Sequence, residues 1–377
     1  MKSIAFNRPY MSGRELDYIR QAHASGHLSG DGAFTKKCET WLKGHSKCAR
    51  AFLTHSCTGA LEMAAILAGI GPGDEVILPS FAFVSTANAF VLRGAKPVFV
   101  DIRPDTLNLD ETLLEKALTK KTRAVIPLHY GGVSCEMDAI LAFARKHSLT
   151  VIEDAAQGIL CSYKGKALGS MGDFGVYSFH ETKSITSGEG GALLVHDKSA
   201  VARAERIREK GTDRSRFLRG ETDKYTWRDV GSSYLPSDMI AAFLWAQLER
   251  GRSIVDARLK IWDTYHDAFR DAQKKGSVLR PSVPRYCRHN AHLYYLLLPN
   301  GRSRDRFIRR MAARGINTVF HYVPLHSSPA GKRYGRCATS MKRTDEISSR
   351  LVRLPLWLGM GKGVDRVIDE TLNSLAE

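Results

Sequence analysis

The chain has 377 residues, 43% of them hydrophobic, and a formal net charge of +17. That length suits a large domain plus a smaller one, with the composition of a globular protein. No apolar run nears the roughly 18 residues of a spanning helix, the N-terminus lacks the apolar core of a secretion signal, and seven scattered cysteines form no CxxC pair, so a reduced, cytoplasmic protein is expected.

Residues 1–32 read as an arm with a short helix over 15–22, ending in the turn-rich loop 27–32. A helix follows over 34–42, with Gly44 as its stop. Phe52 to Thr54 form a short strand that runs into His55-Ser-Cys-Thr-Gly59, and 61–67 continue as an apolar helix. Strands and helices then alternate. Strands are expected at 75–78, 97–100, 124–128 and 150–152, and helices at 84–91, 111–118 and 137–145. The strands are short apolar runs with little polar alternation, as when both faces are covered, and the alternation implies a mainly parallel sheet.

The run Phe174, Val176, Tyr177, Phe179 and the run 192–195 read as two strands joined by a loop carrying Lys183 and Glu189-Gly190-Gly191. A long helical segment follows Pro236 and is broken near Gly251. Beyond a loop at 281–284 come a strand at 292–298, a helix at 304–313, a strand at 317–322 and closing helices near 345–352 and 365–375. The domain division is therefore 1–250 for a large domain with its arm and 251–377 for a small α+β domain.

The positive charge suits either nucleic acid or a phosphorylated small molecule. Its densest groups, 203–219 and 302–314, look like helix faces without interleaved aromatics for base stacking, and no helix-turn-helix or RNA-binding motif is present. No nucleic-acid partner is expected.

Four features gather at strand ends, where open α/β sheets bind ligands. Lys183 lies between buried strands, where desolvation favours the nucleophilic neutral amine, although most lysines beside such loops are simply solvated. Asp154 follows Val151-Ile152 and reads equally as a helix cap. Ser56-Cys57-Thr58-Gly59 follows a strand and opens a helix, whose free amides suit a phosphate or merely cap. Phe81 and Phe83 follow the strand at 75–78, as core or as a face for a flat ligand. An amine, a carboxylate, a phosphate cradle and an aromatic plate are what pyridoxal phosphate requires.

With Gly30-Asp-Gly32, residues 79–86, Glu153-Asp-Ala-Ala-Gln157, Ser178 to Lys183, Gly188-Glu-Gly-Gly191 and His321-Tyr-Val-Pro-Leu-His326, the chain resembles the DegT/DnrJ/StrS family of sugar aminotransferases over nearly its whole length. The resemblance implies an α/β chain of PLP-dependent transferase fold type I, aspartate-aminotransferase-like, with a mainly parallel seven-stranded-type sheet. It implies Lys183 as the Schiff-base lysine, Asp154 as partner of the pyridine nitrogen, and Gln157 beside the phenolic oxygen. Ser178 with the Cys57 and Thr58 amides would hold the phosphate, and Phe83 would stack on the ring. His321, Tyr322 and His326 are candidates for the sugar end.

The phrases at 179–183, 224–228 and 231–235 resemble the branch that moves glutamate's amine to carbon 4 of a dTDP-4-keto-6-deoxyhexose, giving dTDP-4-amino-4,6-dideoxygalactose. Some relatives use the same cofactor for dehydration, but carry His where Lys183 stands. Other keto-sugar nucleotides and a basic non-catalytic protein of this fold are the alternatives. A homodimer with shared active sites is also implied. Two positions depart from the family pattern: Ser184 where Asn is frequent, and Ser233 where many members place an Asn that reaches the neighbour's cofactor phosphate.

Overall fold

The computed structural model describes residues 3–376. Its centre is a sheet of strands β1 (Arg50–Thr54), β2 (Glu75–Pro79), β3 (Lys96–Val100), β4 (Thr122–Val125), β5 (Thr150–Asp154), β6 (Phe174–Ser178), β7 (Gly191–Val195) and β8 (Arg336–Cys337). The spatial order is β1-β7-β6-β5-β4-β2-β3-β8. Neighbours from β6 through to β8 pair in parallel, while β7 runs antiparallel to both β1 and β6. The eighth strand exceeds the expected seven. It is a two-residue piece from late in the chain, too short to leave a sequence signal.

The apolar strands split by alternate residues. Leu53, Ile77, Val98, Val125, Val151, Tyr177 and Leu194 face one buried cluster. Phe52, Val76, Phe99, Ala124, Ile152, Val176 and Leu193 face a second. Both faces are thus covered, which is why these strands show no polar alternation. A third cluster gathers Ile4 with Trp262, Tyr294, Met311 and Val352.

Helices Glu15–Ala24 and Ala33–Ser46 pack against Asp238–Glu249. Asp238 caps the second of these, accepting the Phe34 and Thr35 amides at 3.2 and 2.8 Å. A side chain at Gly32 would put its Cβ 2.3 Å from the Asp238 carboxyl carbon, so the close approach requires glycine there. The helix passes through the expected stop at Gly44 and ends at Lys47, whose φ of 54° is left-handed.

Three further expectations change. The segment 111–118 begins as a 3₁₀ turn, Glu111–Leu113, before a single α turn, Leu114–Ala117. The stretch 317–322 is not a strand: one bridge, Val319 to Arg353, is all its sheet pairing. The helix expected at 345–352 is Lys342–Arg350, and Leu351–Leu354 is a strand paired with Tyr294–Leu297. No helix among the described residues is long and apolar enough to cross a membrane.

Candidate functional site

Because β7 runs against its neighbours, its first residue is level with two strand ends. Gly191 pairs with Ser178 of β6 and with Thr54 of β1. Asp154 ends β5 at the same edge of the sheet. A Cβ on Gly191 would lie 2.4 Å from the Cys57 nitrogen, so glycine lets the helix Cys57–Leu67 start directly over the strand end. The loop between β6 and β7 folds over this edge. It is pinned by Phe179, whose amide donates to the Gly190 carbonyl at 2.8 Å and whose own carbonyl accepts the Ser187 amide at 2.8 Å.

A cavity of about 730 Å³ opens here. Lys183, Asp154, Gln157, Ser178, Cys57, Thr58 and Phe83 all line it. Ser233 does not; it is exposed and bridges Glu209 instead. Among the named aromatics, Phe83 is 56% exposed and faces the cavity, whereas Phe81 is fully buried against Tyr130, His321 and Tyr322.

Burial lowers the Lys183 amine below the ordinary lysine range; Cys57 and Asp154 oppose this and Arg353 reinforces it. The same burial, with Asp154 nearby, pushes the Cys57 thiol well up and keeps it protonated. The amine, not the thiol, is therefore the nucleophile that this wall offers.

Asp154 is buried and held on both oxygens. Oδ2 accepts the Thr86 hydroxyl at 2.7 Å and Oδ1 the Ala156 amide at 3.1 Å. Gln157 is also fixed: its Oε1 accepts the Gly131 amide at 2.7 Å and its Nε2 donates to the Tyr322 hydroxyl at 2.9 Å. At the helix start, Gly59 donates to the Ser56 hydroxyl and Ala60 to the Ser56 carbonyl. The Cys57 and Thr58 amides precede the first intrahelical bond, the position in a helix whose amides suit an anion. The Thr58 hydroxyl lies 2.8 Å from that of Ser85, tying this helix to Val84–Val91.

The lining also includes residues that the sequence does not single out. Thr86, His292 and Arg353 line the cavity. Arg353 donates to the Phe320 carbonyl at 3.3 and 3.1 Å and meets no carboxylate within ion-pair distance among the described residues. Its one sequence signal is a lone charge inside the apolar run 351–358. The His292 Nδ1 has no hydrogen-bond partner among the described residues, and burial, Lys183, Arg258 and Arg353 push its ring well below the ordinary range. His321 and Tyr322 line the cavity as expected, but His326 does not. Its ring joins Ser80 at 2.7 Å and Asp345 at 3.3 Å, outside the lining.

The donor set fits pyridoxal phosphate. A desolvated amine and a doubly anchored carboxylate share one cavity with a helix start that presents two free amides beside Ser178, and with an exposed aromatic face.

The sequence model of the DegT/DnrJ/EryC1/StrS aminotransferase family matches residues 9–372. A GDP-perosamine synthase from Caulobacter vibrioides is 35% identical over 371 residues, covering 97% of this chain and 96% of that protein. A UDP-4-amino-4-deoxy-L-arabinose–oxoglutarate aminotransferase from Shewanella sediminis is 30% identical, covering 96% and 95%. The crystal structure of the aminotransferase TlmJ from Streptoalloteichus hindustanus superposes with a TM-score of 0.91 at 31% identity, covering 99% of both chains.

Proposed function

The chain belongs to the DegT/DnrJ/EryC1/StrS aminotransferase family, and from that premise we propose which amine acceptor it serves. It is a pyridoxal-phosphate-dependent sugar aminotransferase. Its acceptor is carbon 4 of a dTDP-linked 4-keto-6-deoxyhexose, its donor is L-glutamate, and its product is dTDP-4-amino-4,6-dideoxygalactose.

The observation that carries the reading is the placement of Lys183 and Asp154 on one cavity, with the lysine desolvated and the carboxylate held on both oxygens. Bound pyridoxal phosphate supplies a carbonyl that exchanges for an amine, and a ring that takes up electrons from a broken C–H bond. Lys183 holds that group, and its Nζ removes and returns the proton at the substrate carbon. Asp154 keeps the ring nitrogen protonated through a charge-assisted bond. The Cys57 and Thr58 amides with Ser178 would hold the phosphate, Phe83 would face the ring and Gln157 would serve its phenolic oxygen. Ser233, outside the lining, is left without a role in its own chain's cavity.

Lys183 and Arg353 are the only lysine and arginine in the lining among the described residues. The large positive charge is therefore spent elsewhere. In the 203–219 group, for example, Arg203 pairs with Asp229 and Arg219 with Glu205 and Glu221. Arg353 is the cation left to take a substrate anion, and glutamate brings carboxylates.

The Shewanella relative's name joins a 4-amino sugar nucleotide to oxoglutarate, which supports carbon 4 and a glutamate donor. The names of these two relatives contain GDP and UDP, not dTDP. The dTDP and galacto assignments rest on the phrases at 179–183, 224–228 and 231–235. A homodimer completes the proposal, with 224–235 reaching the second copy.

One incubation tests this reading: dTDP-4-keto-6-deoxyglucose with glutamate, followed by NMR of the product. An axial amine at carbon 4 is expected. An equatorial amine keeps the enzyme class and overturns the branch. Turnover of a 3-keto isomer, or of a UDP- or GDP-linked ketone alone, overturns the substrate.

A further inference from the structure

His321 sits in the cavity wall between aromatic rings. It stacks on Tyr322 at 3.7 Å between centroids and 26° between planes, with Phe81 edge-on at 6.2 Å. Its Nδ1 lies 2.7 Å from the Tyr130 hydroxyl. Tyr130 is 1% exposed, and this is the partner its hydroxyl has among the described residues. Burial pushes the phenol well above its ordinary range, so it keeps its proton. A phenol buried beside a ring nitrogen donates to it. The Nδ1 is therefore the acceptor, and the imidazole hydrogen is on Nε2.

That Nε2 has no partner within the described chain, and it is not among the nitrogens sealed from the cavity. Burial, Arg353, His292 and Lys183 all disfavour a charged His321. The groups facing it are Tyr130, Tyr322, Phe81, His292, Lys183 and Arg353, none of them anionic. His321 thus presents a neutral donor, fixed in tautomer, in an aromatic surround.

We propose that His321 is a specificity-determining residue whose Nε2–H, oriented by Tyr130, donates to a hydroxyl or carbonyl oxygen of the sugar rather than to a carboxylate of the amino donor. A neutral donor matches a neutral oxygen, whereas a carboxylate is served better by the guanidinium of Arg353. Aromatic faces beside the donor suit the C–H faces of a pyranose. Tyr130 is a positioning residue: without its hydroxyl, either ring nitrogen can carry the hydrogen. The inference rests on the sugar-aminotransferase reading above.

The two halves of the reaction separate the possibilities. The holoenzyme is mixed first with glutamate alone, and then, in its aminated form, with the keto-sugar nucleotide; each half is followed by absorbance of the bound cofactor. In His321→Phe the sugar half slows relative to the glutamate half by about tenfold to a hundredfold, the cost of one unmade hydrogen bond in a closed site. His321→Gln, which keeps an N–H, recovers part of that ratio. Tyr130→Phe, which removes one oxygen, shifts it in the same direction by a smaller factor. Equal slowing of both halves in His321→Phe, or no recovery in His321→Gln, overturns the assignment. A parent enzyme that takes the amine from glutamate but passes it to no keto-sugar nucleotide overturns the underlying reading, and is told apart because it fails before any variant is compared.

Discussion

Thr86 donates its hydroxyl to Asp154 Oδ2 across 2.7 Å, and both residues are buried in the wall that also carries Lys183. The bond fixes the carboxylate from the side opposite the Ala156 amide. Asp154→Ala should keep its fold and lose on the order of a thousandfold in turnover, the scale of one strong charged interaction in the transition state. Thr86→Val removes only the orienting bond and should cost about tenfold. Steady-state kinetics decide: near-normal turnover by Asp154→Ala would mean another carboxylate faces the ring nitrogen.

Lys183→Ala should abolish turnover. Borohydride treatment of the parent should fix the cofactor on the peptide that contains Lys183, as read by mass spectrometry. A cofactor-modified peptide recovered from the treated variant would refute the role given to this lysine.

Arg353→Met should raise the KM for glutamate by about tenfold to a hundredfold, the range for losing a charged hydrogen bond. The KM for the keto-sugar nucleotide should move far less. A rise confined to the keto-sugar nucleotide would place the diphosphate, not the carboxylate, on Arg353, and equal increases would refute a selective role for it in glutamate binding.

Glu153 points away from the cavity, where burial opposes its charge. His129 and the Gly172 and Gly169 amides outweigh that and hold it below the ordinary 4.5. The His129 Nε2 lies 3.0 Å from it, while the His129 Nδ1 accepts the Cys135 amide at 3.1 Å. A depressed carboxylate stabilises the fold above its unfolded pKa, and this contribution is lost as pH falls through the folded value. The parent should therefore lose melting temperature below pH 4.5 more steeply than Glu153→Gln. Differential scanning fluorimetry from pH 6 to pH 3 compares them, and parallel curves would show that Glu153 does not titrate in this way.

Trp227 is 81% exposed, with Tyr225 and Val230 exposed beside it. Such a surface fits contact with a second copy. Light scattering of the parent should give a dimer, and Trp227→Glu should shift it toward monomer. A fully active monomeric parent would end the shared-site proposal.

The sheet was legible because β2 to β7 are buried on both faces and so read as unbroken apolar runs between helices. The reading failed where apolar residues had another use. Val319, Phe320 and Tyr322 look like a strand, yet they line the cavity, and the stretch 317–322 pairs in a sheet at one bridge. Leu351 and Val352, the first half of the strand Leu351–Leu354, read as the end of a helix because four residues cannot establish a period. Lys183, Asp154 and Gln157 stood out through local motifs. Arg353 could not, since its importance comes from the Phe320 carbonyl and from a cavity whose other polar residues are distant in sequence. Thr86 lay inside the stretch 79–86, but nothing local shows that its hydroxyl reaches Asp154, 68 residues away.

The sheet's last strand, β8, is made of Arg336 and Cys337 laid beside Val98 and Phe99. During synthesis, β3 leaves the ribosome long before that cover exists. Its row of unpaired backbone groups stays open while more than half of the chain is still to be made. Open apolar edges recruit other strands, including those of neighbouring nascent chains. Completion of this molecule thus includes a late sealing event, and a chain stalled or truncated before residue 336 would carry an adhesive margin that the finished protein hides.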